Sequence, residues 1–175
     1  MRRLDWKYGA ALLGCLAVRL LPWRAPNVEP ILATAMPFAK RGGAMSGFLF
    51  GAASIFLFDI VTGTAGVWSL ITASSYGLVG AGAYLFLRNR ESSRASYFAY
   101  AIIGTLVYDA LTGLTVGPLF FGQSFVAAVA GQIPFTMLHL LGNTVFAVTV
   151  SPLVYAWITS EERRTSSDVA VIGVQ

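Results

Sequence analysis

Apolar residues run along this chain in long uncharged blocks, separated by short joints rich in Gly, Pro or charge. Strand-like alternation is absent, so the pattern predicts helices rather than a barrel. Six segments stand out: Leu4 to Trp23, Val28 to Ala39, Ala44 to Val61, Ala65 to Leu87, Ser96 to Leu111 and Val126 to Ile158. An apolar run of about 20 residues crosses a bilayer as a helix, and most of these runs approach or exceed that length. The second reaches only about 18 Å at 1.5 Å per residue and carries Pro30 and Pro37, so a bent, partly inserted helix is expected there. Asn27 stands ahead of it as a candidate cap. The sixth is long enough to begin as a separate piece before Gly131 or to bend at Pro134. The expected fold is all-α: a polytopic membrane protein with six transmembrane segments, the second short and the sixth long. Residues 1–160 form one membrane domain and residues 161–175 a flexible cytoplasmic tail.

Composition strengthens the membrane reading. The chain is 56% hydrophobic and 11% charged, with a mean hydropathy of +0.68, more apolar surface than a soluble domain of this size can hide. The basic start followed by apolar residues resembles a signal peptide, but no A-x-A-like site follows and Arg19 interrupts the run, so a retained first helix is expected. Cys15 is the single cysteine, which excludes an internal disulfide. With the amino terminus inside, ten cations collect at inner ends (Arg2, Arg3, Lys7, Lys40, Arg41, Arg88, Arg90, Arg94, Arg163, Arg164) and only Arg19 and Arg24 at outer ends. That asymmetry predicts two cytoplasmic termini and a multi-pass protein of the cell inner or plasma membrane. Because the basic residues flank spans, the net charge of +4 does not point to nucleic acid.

The candidate chemistry begins with a pattern written twice, 50 residues apart: Phe58-Asp59-Ile-Val-Thr62-Gly63 and Tyr108-Asp109-Ala-Leu-Thr112-Gly113. A carboxylate in a membrane helix is a candidate for function; it also suits a structural role at a helix end before a terminating Gly. The six-span register puts Asp59, Asp109 and Glu29 on the outer side, where they are expected to frame one pocket. In the sixth segment Gln132, Thr136, His139 and Asn143 are spaced 4, 3 and 4, so they share one helical face. This face suits a pocket wall or interhelical hydrogen bonds. Trp68, Thr72, Ser75 and Tyr76 offer a facing wall on whose aromatics a flat ring could stack, although Trp68 also suits an interfacial anchor. Arg19, Arg24 and Glu29 form a possible gate or ion pair. Small residues four apart, among them Ala10 with Gly14 and Gly47 with Gly51, permit close helix approach.

Catalysis finds little support. One histidine with dispersed acids makes no recognisable metal site, and no nucleophile motif is evident. No cofactor is implied. No G-x-x-x-x-G-K-[ST] motif is present, so any use of ATP needs another chain.

Arg24 to Lys40 (Arg-Ala-Pro-Asn-Val-Glu-Pro-Ile-Leu-Ala-Thr-Ala-Met-Pro-Phe-Ala-Lys) and Gly131 to Asn143 (Gly-Gln-Ile-Pro-Phe-Thr-Met-Leu-His-Leu-Leu-Gly-Asn) carry a resemblance to S components of energy-coupling factor (ECF) transporters, in an uncharacterised subgroup. The resemblance spans about the whole membrane region. It implies high-affinity binding of a small vitamin-like metabolite from outside. It also implies partnership with a transmembrane T component and two ATPase subunits, whose hydrolysis reorients the S component. Members of the family commonly dock through an Ala-x-x-x-Ala motif on the first helix; here the nearest match, Ala10 to Gly14, ends in Gly. The rival reading is a stand-alone small channel, a facilitator or a membrane assembly protein.

Overall fold

The computed structural model describes residues 6–25 and 27–160; the expected tail, Arg2, Arg3, Arg163 and Arg164 lie outside them. The described chain is a helical bundle: α1 (Trp6–Arg19), α2 (Ile31–Gly42), α3 (Ala44–Val61), α4 (Val67–Leu87), α5 (Arg94–Gly113), α6 (Val116–Phe121) and α7 (Phe125–Ile158). Four helical stretches are long and apolar enough to cross a membrane: α3, α4, α5 running on through α6, and α7. α1 and α2, at 14 and 12 residues, reach about 21 and 18 Å, short of an apolar layer about 30 Å thick.

Local chemistry sets the helix ends. Ser93 and Ser124 cap α5 and α7, their hydroxyls accepting from the N–H groups of Ser96 and Ala127. Gly43, at φ +93°, turns the chain from α2 into α3 in a single residue, a conformation that disfavours a side chain. Asn27 does not cap α2 as expected: the N-cap is Pro30, and Asn27 takes a left-handed conformation at φ +63° in the loop ahead of it. Pro30 fixes the start at Ile31, so α2 begins three residues later than its apolar run. Neither Pro134 nor Pro152 ends α7, which continues over 34 residues.

α2 is the core of the bundle. Every residue from Ile31 to Ala39 is buried, and α1, α3, α4, α5 and α7 all pack on it. Phe38 stacks on Phe50, and Tyr8 meets both edge-on at 5.1 and 5.2 Å. Ser151 of α7 donates to the Ala33 carbonyl at 2.7 Å. Around this core the outer faces expose Leu49, Leu70, Leu78, Leu85, Leu141 and Leu153, a surface suited to lipid rather than water. α3 and α4 approach backbone to backbone. A Cβ on Gly47 would fall 2.2 Å from the Gly80 carbonyl oxygen, and one on Gly80 would fall 2.1 Å from that of Gly47.

The charges separate by end. Lys7 Nζ donates to the Trp157 carbonyl and Ser160, joining the start of α1 to the end of α7. Lys40 Nζ donates to the carbonyls of Leu87 and Arg90, joining the end of α2 to the end of α4. Arg41, Arg88 and Arg94 occupy the helix ends of this same side. Arg19, Glu29, Asp59 and Asp109 lie toward the opposite end.

Candidate functional site

α5 and α7 are joined by two polar rungs, one helical turn apart on both helices. In the first, His139 Nδ1 lies 2.7 Å from Asp109 Oδ1. In the second, Asn143 Nδ2 donates to Thr105 Oγ1 at 2.8 Å. The spacing of four places Thr105 under Asp109 and Asn143 beyond His139, about 6 Å along each axis. All four side chains are buried; Asp109 and His139 each keep 2% of their surface. Three of their polar atoms have no hydrogen-bond partner among the described residues: Asp109 Oδ2, His139 Nε2 and Asn143 Oδ1. Buried polar atoms are nearly always paired, so three without a partner in two adjacent turns set these rungs apart from the packing around them.

Aromatic rings close over these rungs. Tyr108 meets His139 edge-on at 5.8 Å, Phe135 does the same from α7, and Tyr76 of α4 lies 4.6 Å from Tyr108. The Tyr76 hydroxyl is buried and also without a partner among the described residues. Both tyrosines lie in the electrostatic field of Glu29 and Arg19, which connects the rungs to a second polar cluster. There Arg19 Nε is 2.9 Å from Glu29 Oε2, a charge contact without hydrogen-bond alignment. Its NH1 donates to the Ser54 carbonyl at 3.1 Å, and its guanidinium lies 3.9 Å from the centre of the Phe58 ring. Arg24 stands 4.0 Å from the same Glu29 oxygen and donates to the carbonyls of Ala25 and Val28. Two guanidiniums thus share one carboxylate.

The structure gathers four of the expected site residues: Tyr76, Asp109, His139 and Asn143. It seats the other four nearer the rim. Asp59 is half-buried at the end of α3, and among the described residues its carboxylate makes no hydrogen bond or ion pair; it is one of the charges felt by Tyr108. Trp68 packs against Phe121 of α6 and over Gly66. The Thr72 hydroxyl donates to the Trp68 carbonyl of its own helix. Gln132 donates to Thr136 at 3.1 Å and lies against Gly113. Ala10 and Gly14 are exposed on α1, and a Cβ on Gly14 would meet nothing within 4 Å.

The two copies of the sequence pattern share a hydroxyl contact and then diverge. Thr62 and Thr112 each donate to the carbonyl of the aromatic residue four positions earlier, at 2.8 and 2.9 Å. α3 stops there, with Gly63 at φ +69°, whereas α5 continues through Gly113. Thr105 is a candidate site residue absent from the sequence reading, where Tyr108 figured only as the aromatic of the repeated pattern. The signal was available, since Thr105, Asp109 and Thr112, spaced 4 and 3, form a polar stripe on α5 matching that on α7. Among the described residues no group of three His, Cys, Asp or Glu side chains is arranged to hold a metal ion. Comparison with known proteins finds no matching family model, no matching curated protein and no matching solved structure.

Proposed function

We propose that this protein is the substrate-binding S component of an ECF-type transporter, which takes a small vitamin-like metabolite from outside the cell. In this reading it resides in the cell inner or plasma membrane with six inserted helical segments, α2 being short, and keeps both termini in the cytoplasm. The end bearing Arg19, Glu29, Asp59 and Asp109 then opens outward. A ligand descends past Trp68 and Gln132 to the α5–α7 rungs, where Asp109, His139 and Asn143 orient its polar groups and Tyr76 covers its flat face. A transmembrane T component and two ATPases supply the driving force, with α1 presenting Ala10 and Gly14 as the docking face.

The observation that carries this reading is a group of four buried polar atoms around the α5–α7 rungs that have no hydrogen-bond partner among the described residues: Asp109 Oδ2, His139 Nε2, Asn143 Oδ1 and Tyr76 Oη. Polar groups are costly at such depth, and a ligand-binding site is a reason to keep them open. The test is expression of tagged protein together with candidate T-component and ATPase subunits. Co-purification of the three partner chains and ATP-dependent uptake, both retained by wild type and uptake lost in Asn143→Leu, are expected. A protein that captures no such subunits and supports transport alone is a facilitator instead.

A further inference from the structure

The loop between α1 and α2, which carries Arg24 and Glu29, lies against the rungs. A Cβ on Gly142, next to Asn143, would fall 3.0 Å from the Val28 Cα and 3.2 Å from the Asn27 carbonyl oxygen. The charges of this loop and the end of α1 do not cancel. Arginine keeps its proton in proteins, and Arg19 and Arg24 approach the same Glu29 oxygen at 2.9 and 4.0 Å. Two positive charges thus face at most one negative charge, however Asp109 and His139 are protonated. Among the described residues, Asp59 and Asp109 lie within ion-pair distance of neither guanidinium. The two arginine side chains are only 11% and 19% exposed, so water offsets little of the surplus. Donors are left over too. Arg19 Nε and Arg24 Nε are buried without an aligned acceptor, and the buried hydroxyls of Ser54 and Tyr76 have no partner among the described residues.

We infer that this cluster is a subsite for a carboxylate, so that the ligand of the uptake reading above is a small organic acid. One carboxylate brings the sum of two guanidiniums and an ionised Glu29 to zero, where a dianionic phosphate overshoots it. Its two oxygens suit the planar donor forks of arginine. Ser54, whose carbonyl already holds Arg19, adds a hydroxyl from α3. Glu29 is the internal counter-ion that holds both guanidiniums in the empty site. From there the body of the acid reaches Tyr76, which lies in the field of Arg19 and Glu29 and packs on Tyr108 beside the rungs.

The test uses the full chain in maltoside micelles, which hold no anionic headgroup, with benzoate and its neutral isostere benzamide as probes. Saturation-transfer NMR reads binding, and thermal unfolding reads stability. Saturable benzoate binding is expected, with benzamide weaker by about tenfold or more. Arg24→Gln weakens benzoate by about tenfold or more. Glu29→Gln acts in the other direction, because it removes the internal competitor: benzoate binds more tightly and raises the melting temperature more than in wild type. An ion pair with only a structural role loses stability in Glu29→Gln, and benzoate does not restore it. That result, binding of benzamide as tight as benzoate, binding of neither probe, or full benzoate affinity in folded Arg24→Gln overturns the inference. If one variant does not fold, the wild-type preference and the other variant decide. A phospholipid retained by wild type and lost in Arg24→Gln, seen by native mass spectrometry, assigns the cluster to a lipid phosphate and also overturns it. Capture of a T component and ATPases without a benzoate preference removes this inference alone, whereas a benzoate preference without those subunits removes only the transporter reading.

Discussion

A carboxylate and an imidazole 2.7 Å apart in an apolar bundle join α5 to α7 as firmly as they mark a site. Removing one partner strands the other where little can solvate it. Asp109→Ala is thus expected to lower stability by about 3–5 kcal/mol, and the double change Asp109→Leu with His139→Leu to recover much of that loss. Unfolding in mixed detergent micelles measures both. The glycine contact between α3 and α4 has no such remedy. Gly80→Val drives a branched side chain into the Gly47 backbone, and loss of the folded, monodisperse species on size-exclusion chromatography is expected. Asp109, His139 and Asn143 were legible because helical spacing places polar residues on one face whatever surrounds them. The divergence of Asp59 from Asp109 was not, because both copies share the local Thr contact and only tertiary packing sets one apart.

Among the elements, α3 was readable to the residue, because an unbroken apolar run between Gly43 and Thr62-Gly63 leaves one place for a helix. α2 was harder, since Pro30 and not the edge of the apolar run sets its start. α6, six residues long, is too short for periodicity to reveal. α7 poses a mismatch instead: 34 residues extend about 51 Å, well beyond an apolar layer of about 30 Å. Its first turns, with Val126 and Ile133 exposed, project past the buried rungs. In the proposed orientation a cysteine at Val126 is expected to react with a membrane-impermeant maleimide in intact cells, whereas one at Leu141 stays protected. Among the described residues, nothing lies against the face of α1 that carries Gly14. Gly14→Leu is expected to leave the melting temperature within about 1 °C of wild type, the range of surface changes, and to reduce capture of the proposed T component.

For the whole molecule, the separation of charge was the most legible property, because it needs only the order of apolar runs and cations. The described structure joins the ends as that order requires, through Lys7 with Trp157 and Lys40 with Leu87. The identity of the central helix was hidden. Length and two prolines suggested a bent, partly inserted helix but not its place among the others; burial puts α2 at the centre, where a short helix needs no contact with lipid and need not span the layer.

That sheathed position also dictates an order of biogenesis. A 12-residue segment holding a proline is a poor substrate for independent partitioning out of the translocon, and one wall of its sleeve, α7, is the last part of the described chain to leave the ribosome. The second helix to be synthesised must therefore wait for the seventh before its own surroundings exist, so the nascent polypeptide matures only after translation has passed Ile158.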